Sequence, residues 1–114
     1  MDAIDDFVAH VLGTGFDDLP SEAIKAAKTY TLDSFGVGLS GGAGPWVDEL
    51  IQLSGQWGQG DDARVWGHGL RLPAPAAALC NAYQIHNAEF DCVHEGAVVH
   101  SMTVLLGAAM AVAE

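Results

Sequence analysis

Apolar residues recur at helical spacing from the start of the chain. Ile4, Phe7, Val8, Val11 and Leu12 fall at i, i+3, i+4, i+7 and i+8, one stripe on a helix of about three turns. Asp2, Asp5 and Asp6 sit in its first turns, where carboxylates favour the helix dipole, and Gly13-Thr14-Gly15 closes it. Leu19-Pro20-Ser21-Glu22 opens a second helix, with Pro20 suited to the first helical position. Its apolar face runs through Ile24, Ala27, Thr31, Leu32, Phe35 and Leu39. Gly36 and Gly38 each cost about 1 kcal/mol against Ala in a helix interior, so their presence predicts close packing of another helix there. Gly41-Gly42-Ala43-Gly44-Pro45 is the stop.

Trp46, Val47, Leu50, Ile51, Ser54 and Trp57 predict a short third helix, interrupted by Gly55, Gly58 and Gly60. Residues 58–72 read as a loop; Val65-Trp66 is the only extended candidate and is too short for a sheet. After Leu72-Pro73-Ala74-Pro75, a fourth helix carries Ala76, Leu79, Cys80, Tyr83, Asn87 and Phe90 at helical steps, with small residues that let a neighbouring backbone approach. A polar loop from Asp91 to His100 leads into a last helix, Ser101 to Glu114. That helix is apolar nearly all round, a pattern that predicts burial on every side. The fold class is therefore all-α, with about five helices in one unit and neither repeat nor linker.

Two features make residues 1–114 read as a partial helical domain, the N-terminal piece of something larger. The last helix lacks a Gly, Asn or Pro stop, and five helices are few to enclose a segment as apolar as 102–113. The expected partner is a second copy of the chain or a complementing C-terminal part. The alternative is a small bundle with this helix at its centre.

Charge narrows the functions. Four Lys and Arg stand against 15 Asp and Glu, a formal net charge of −11. A field of that sign repels nucleic-acid phosphates, anionic membranes and anionic small molecules. No apolar run is long enough to span a bilayer, and the acidic start is no secretory signal. Cys80 and Cys92 make no disulfide framework and fit reduced thiols in a cytosolic compartment.

The densest chemistry lies in His86-Asn87-Ala88-Glu89-Phe90-Asp91-Cys92-Val93-His94-Glu95, followed by His100. His86 and Phe90 share a face near the helix end, Asp91 lies just past it, and His100 begins the next helix. A carboxylate and an imidazole gathered there can share general acid–base work. The same residues also serve as helix caps or loop organisers. Asp91, His94, Glu95 and His100 are possible metal ligands, but His94-Glu95-Gly96-Ala97-Val98 lacks the second histidine of HExxH, and no metal-binding spacing results. Cys92 beside His94 could become a nucleophile through a lowered pKa, whereas Cys80 belongs to the core. Gly36-Val37-Gly38-Leu39-Ser40-Gly41 has G-x-G-x-x-G form, but a helix precedes it where a dinucleotide site needs a strand.

Leu32-Asp33-Ser34-Phe35-Gly36-Val37-Gly38-Leu39-Ser40-Gly41 resembles the second helix of the MmgE/PrpD family. Pro75 to Tyr83, then His86, Glu89-Phe90-Asp91, His100 and the run ending Ala111-Val112-Ala113-Glu114 extend the resemblance along nearly the whole chain. It covers only the opening part of a typical member. The family includes 2-methylcitrate dehydratase, cis-aconitate decarboxylase and related isomerases. The resemblance implies a large helical domain joined to a smaller α+β domain, with the active site between them and no metal or organic cofactor. It also implies a small polycarboxylate substrate. Asp91 and His100 match the residues expected to touch substrate or move protons, in roles that can be exchanged. His86 matches a family histidine, and His94 joins it as a second candidate for substrate contact. Cys92 and Val93 stand where many members carry Asp and then Ser or Thr, and Ser101 where Pro is common. Dehydration, decarboxylation and isomerisation stay open. The four cations all lie outside residues 86–100, so the substrate's charge must be met from elsewhere. A second functional class is a non-catalytic helical module that works by assembly through the 102–113 helix.

Overall fold

Helix α4 (Ala74–His86) organises the molecule: two helices, a hairpin and a short helix all pack against it. The computed structural model describes residues 2–114. Its elements are α1 (Ala3–Gly13), a 3₁₀ turn (Phe16–Asp18), α2 (Ser21–Gly41), α3 (Val47–Ser54), strands β1 (Ala63–Val65) and β2 (Leu70–Leu72), α4, and α5 (Ser101–Ala113). The five helices and the small sheet make a mostly helical architecture, as the periodicity predicts.

Close approach depends on missing side chains. A Cβ on Gly41 would lie 2.0 Å from the Gln84 carbonyl oxygen, and one on Gly107 would lie 2.9 Å from that of Ala78. Glycine therefore lets α2 and α5 sit directly on the α4 backbone. Gly38 also packs closely, with the Ile85 side chain 3.1 Å from its Cβ position, but Gly36 faces open space. The expectation for the two glycines thus holds for Gly38 alone.

The buried row of α2 is Ser34, Gly38 and Gly41, at i, i+4 and i+7. The larger apolar residues point elsewhere: Leu32 and Leu39 are exposed. Ile24, Thr31, Leu32 and Phe35 join Phe16 and Leu19 in an open groove of about 670 Å³. Pro20 caps α2 from outside rather than serving as its first residue. Helix α1 forms as its stripe predicts, with the Asp2 N–H donating to Asp5 Oδ2 at 3.1 Å, yet it buries none of its residues.

Residues 58–72 are not simply a loop. Ala63, Arg64 and Val65 pair antiparallel with Leu72, Arg71 and Leu70, across a turn in which Gly67 and Gly69 have positive φ. The strands are too short for periodicity to reveal, and tertiary bonds hold them. Buried Asn81 on α4 accepts the Trp66 N–H at 3.0 Å and donates to the Arg64 carbonyl at 2.9 Å. Two apolar clusters meet along α4. Ala63, Val65, Ala77, Cys80 and Ala111 form one; Trp66, Ile85 and Leu106 form the other, with Phe35 against Trp66 at 4.3 Å between ring centroids.

Helix α4 stops at His86, so Asn87 and Phe90 do not continue its face as their spacing suggests. Asn87 instead donates to the carbonyls of Gly41 and Pro45, at 3.1 and 3.2 Å. Glu89 turns the chain through a left-handed conformation (φ 50°), leaving Phe90 exposed. Helix α5 corrects another expectation: Leu106, Gly107 and Ala111 are buried, but Val104, Leu105 and Val112 face outward. Helices α4 and α2 and strand β1 pack against it, and its other side stays open among the described residues. No helix among the described residues is long and apolar enough to cross a membrane.

Candidate active site

Three segments converge beyond the end of α4. His86 is that helix's last residue, Asp91 follows the turn at Glu89, and His100 is the N-cap residue of α5. The Asp91 side chain is wholly buried. Its Oδ1 lies 3.0 Å from His86 Nδ1, and its Oδ2 lies 3.1 Å from His100 Nδ1. The two imidazole rings meet edge to face with centroids 4.8 Å apart. Thr103, one turn into α5, donates its hydroxyl hydrogen to Asp91 Oδ2. His86 Nδ1 also has hydrogen-bond geometry toward the carboxylate, whereas His100 Nδ1 is close but poorly aligned and lacks a hydrogen-bond partner.

These contacts set the state of Asp91. Burial is the largest influence and pushes its carboxyl up. Hydrogen bonds from Thr103, His86 and its own backbone N–H, with the charge of protonated His86, together outweigh burial and hold the carboxyl below its ordinary value. The result is a sheltered carboxylate facing two partly exposed imidazoles. Such an arrangement can orient an imidazole and stabilise its protonated form.

Asp91, His86 and His100 therefore come together. His94 does not join them: it lies in an exposed turn closed by the His94–Val99 bridge, and its Nδ1 accepts the Ala97 N–H at 3.0 Å. Thr103 escapes the sequence reading. Its signal is the i+3 spacing from His100, which places both on one face of the first turn of α5. Cys92 is no activated nucleophile, because burial and the charges of Asp33 and Asp91 push its thiol up. Cys80 lies in the core, where burial raises its thiol despite the hydrogen bond with Ser54.

The cations are engaged elsewhere or make no ion pair with this cluster among the described residues. Arg64 and Arg71 converge on Glu114 Oε2 at 2.8 and 3.2 Å, and Arg71 also donates to the Asp61 and Asp62 carbonyls at 2.6 and 2.5 Å.

The MmgE/PrpD N-terminal domain model matches residues 5–114. Cis-aconitate decarboxylase of Aspergillus terreus is 33% identical over 98 residues, covering 86% of this chain and 20% of that protein. The cis-aconitate decarboxylase-like protein oryM of Aspergillus oryzae is 33% identical over 97 residues, with 85% and 20% covered. The chain spans about a fifth of the length of the curated relatives it matches.

Proposed function

Starting from its membership of the MmgE/PrpD family, we propose that this chain supplies the N-terminal helical portion of a cofactor-independent lyase or isomerase. The enzyme moves a proton at a carbon next to a carboxylate of a small di- or tricarboxylic acid. The observation that carries this reading is the buried Asp91 carboxylate held between His86 and His100 at 3.0 and 3.1 Å.

Asp91 has no exposed side-chain surface, so it acts from behind the imidazoles. It keeps them oriented and offsets the positive charge that appears when one takes a proton. His100, about a third exposed, is the group assigned to proton transfer. In a dehydration, it removes the proton next to the carboxylate while an acid assists departure of hydroxide. In a decarboxylation, the carbon–carboxylate bond breaks, carbon dioxide leaves, and the electron pair left on carbon takes the imidazolium proton. His86 contacts substrate from within the cluster; His94 can join only from the exposed turn. With Arg64 and Arg71 tied to Glu114, the cations that neutralise a polycarboxylate come from outside this chain.

The test is kinetic. The full-length protein is assayed with cis-aconitate and with hydroxylated di- and tricarboxylates. Asp91→Asn and His100→Gln each lower kcat by about 10²- to 10⁴-fold while KM changes little. Full rates in both variants overturn the site assignment, and no turnover of any small polycarboxylate by the wild type overturns the reaction class. The exposed Val104, Leu105 and Val112 of α5 favour a second reading, in which the chain is an assembly module needing a partner surface. Inactivity of the full protein combined with stable partner binding would decide for that reading.

A further inference from the structure

We infer that helix α1 of one copy docks in the groove along α2 of a second copy, so that the full-length protein pairs by exchanging its N-terminal helices. The chain displays both halves of such a contact and covers neither. Ile4, Phe7, Val8, Val11 and Leu12 are all exposed, and α1 buries none of its residues. An isolated helix shorter than about 12–15 residues is marginal in water, so this 11-residue helix needs a surface for its stripe. The groove, of about 670 Å³, is walled by Phe16, Leu19, Ala23, Ile24, Ala27 and Phe35, and no residue of α1 among those described lines it.

Size and charge match. From Ala23 to Phe35 the groove advances about 18 Å along α2, and α1 is about 16 Å long. Ala23 and Ala27 leave room in its floor for large side chains such as Phe7. Helix α1 carries Asp5 and Asp6 behind its N-cap Asp2, with no lysine or arginine. The only two lysines of the chain, Lys25 and Lys28, lie on α2, and Lys28 lines the groove. Neither forms an ion pair among the described residues. A docked α1 therefore brings carboxylates to the lysines that lack them.

The chain's own α1 is held away from its groove. Residues 14–20 form a pinned connection: the Gly15 N–H donates to Asp18 Oδ2 at 2.8 Å, and the Leu19 N–H to the Phe16 carbonyl at 3.2 Å. The result is an elongated molecule, 42 × 29 × 26 Å, with a radius of gyration of 15.6 Å against about 13 Å for a compact 100-residue domain. A second copy can fill the groove, and its own groove then receives the first copy's helix. That reciprocal contact closes on itself, so pairing stops at two chains. It is separate from the His86–Asp91–His100 cluster and from the outer side of α5.

Full-length protein is examined by sedimentation velocity, with circular dichroism verifying the fold of each variant. The wild type is expected to be a dimer. Phe7→Asp with Val11→Asp spoils the helix and leaves the groove; Ile24→Asp with Ala27→Glu spoils the groove and leaves the helix. Each pair removes apolar burial at both reciprocal contacts and should raise the dimer dissociation constant by at least about 100-fold. Mixing the two double variants should restore association, because one intact helix then meets one intact groove. Lys25→Glu with Lys28→Glu alters only exposed residues and should weaken the dimer by about three- to tenfold at low salt. A monomeric wild type, its groove covered by the later chain, overturns the inference. So does a dimer that persists in both apolar double variants, a mixture that fails to associate, or an unchanged dissociation constant in the lysine variant. Turnover is not read, so failure here is distinct from failure of the acid–base reading.

Discussion

Asp91 places a carboxylate where water has no access, and the donors around it decide its stability. A group held below its ordinary pKa stabilises the fold above its unfolded pKa and loses that contribution as pH falls through its folded value. Unfolding by urea should therefore become easier as pH drops from about 5 toward 2, spanning the ordinary aspartate value near 3.9. In Asp91→Asn this acid-dependent loss should be smaller, with the difference from wild type greatest near neutrality. An equally steep acid loss in both proteins would show that Asp91 is not the group responsible. The acid and His100 are legible from composition and resemblance. Full burial of the acid and its bond from Thr103 are not, because they depend on how the start of α5 meets the end of α4.

Within the elements, α2 shows how packing can override an apolar stripe. Large side chains at Leu32, Phe35 and Leu39 identify the helix, but its buried row is made of Ser34, Gly38 and Gly41. Small residues permit shorter helix separation, so contact with α4 is made where side chains are nearly absent. Two substitutions separate the glycines that matter. Gly41→Ala drives a methyl into the Gln84 carbonyl and should destabilise the protein by about 1–3 kcal/mol or more. Gly36→Ala meets nothing and should stabilise it by about 1 kcal/mol through helix propensity. Thermal melts of the two variants should move in opposite directions; a loss in both would place a close neighbour at Gly36. The β1–β2 hairpin escapes sequence reading for a related reason. Three-residue strands carry too little alternation, and bonds from distant Asn81 hold them in place.

Across the whole molecule, the apolar faces outnumber the surfaces that cover them. The α1 stripe, the groove along α2 and the outer side of α5 remain exposed together. Exposed apolar area on this scale drives association. The 114-residue chain alone should therefore bind a hydrophobic dye and self-associate with rising concentration in sedimentation. Leu105→Asp combined with Val112→Asp should lower the association, because both residues lie on the open side of α5. A strictly monomeric wild-type chain that binds no dye would show that these faces do not act as contact surfaces.

The sequence by itself determined the five helices, the family, and the segment from which an acid and an imidazole could meet. Helix periodicity, stop signals and short motifs are local properties, so one strand of text contains them. Tertiary structure alone decided that α2 buries its small residues, that two three-residue stretches pair, and that His86 rather than His94 reaches Asp91. Each outcome depends on whether residues separated along the chain can approach, fill space and satisfy one another's polar groups, as Gly41 does against Gln84 and Thr103 against Asp91.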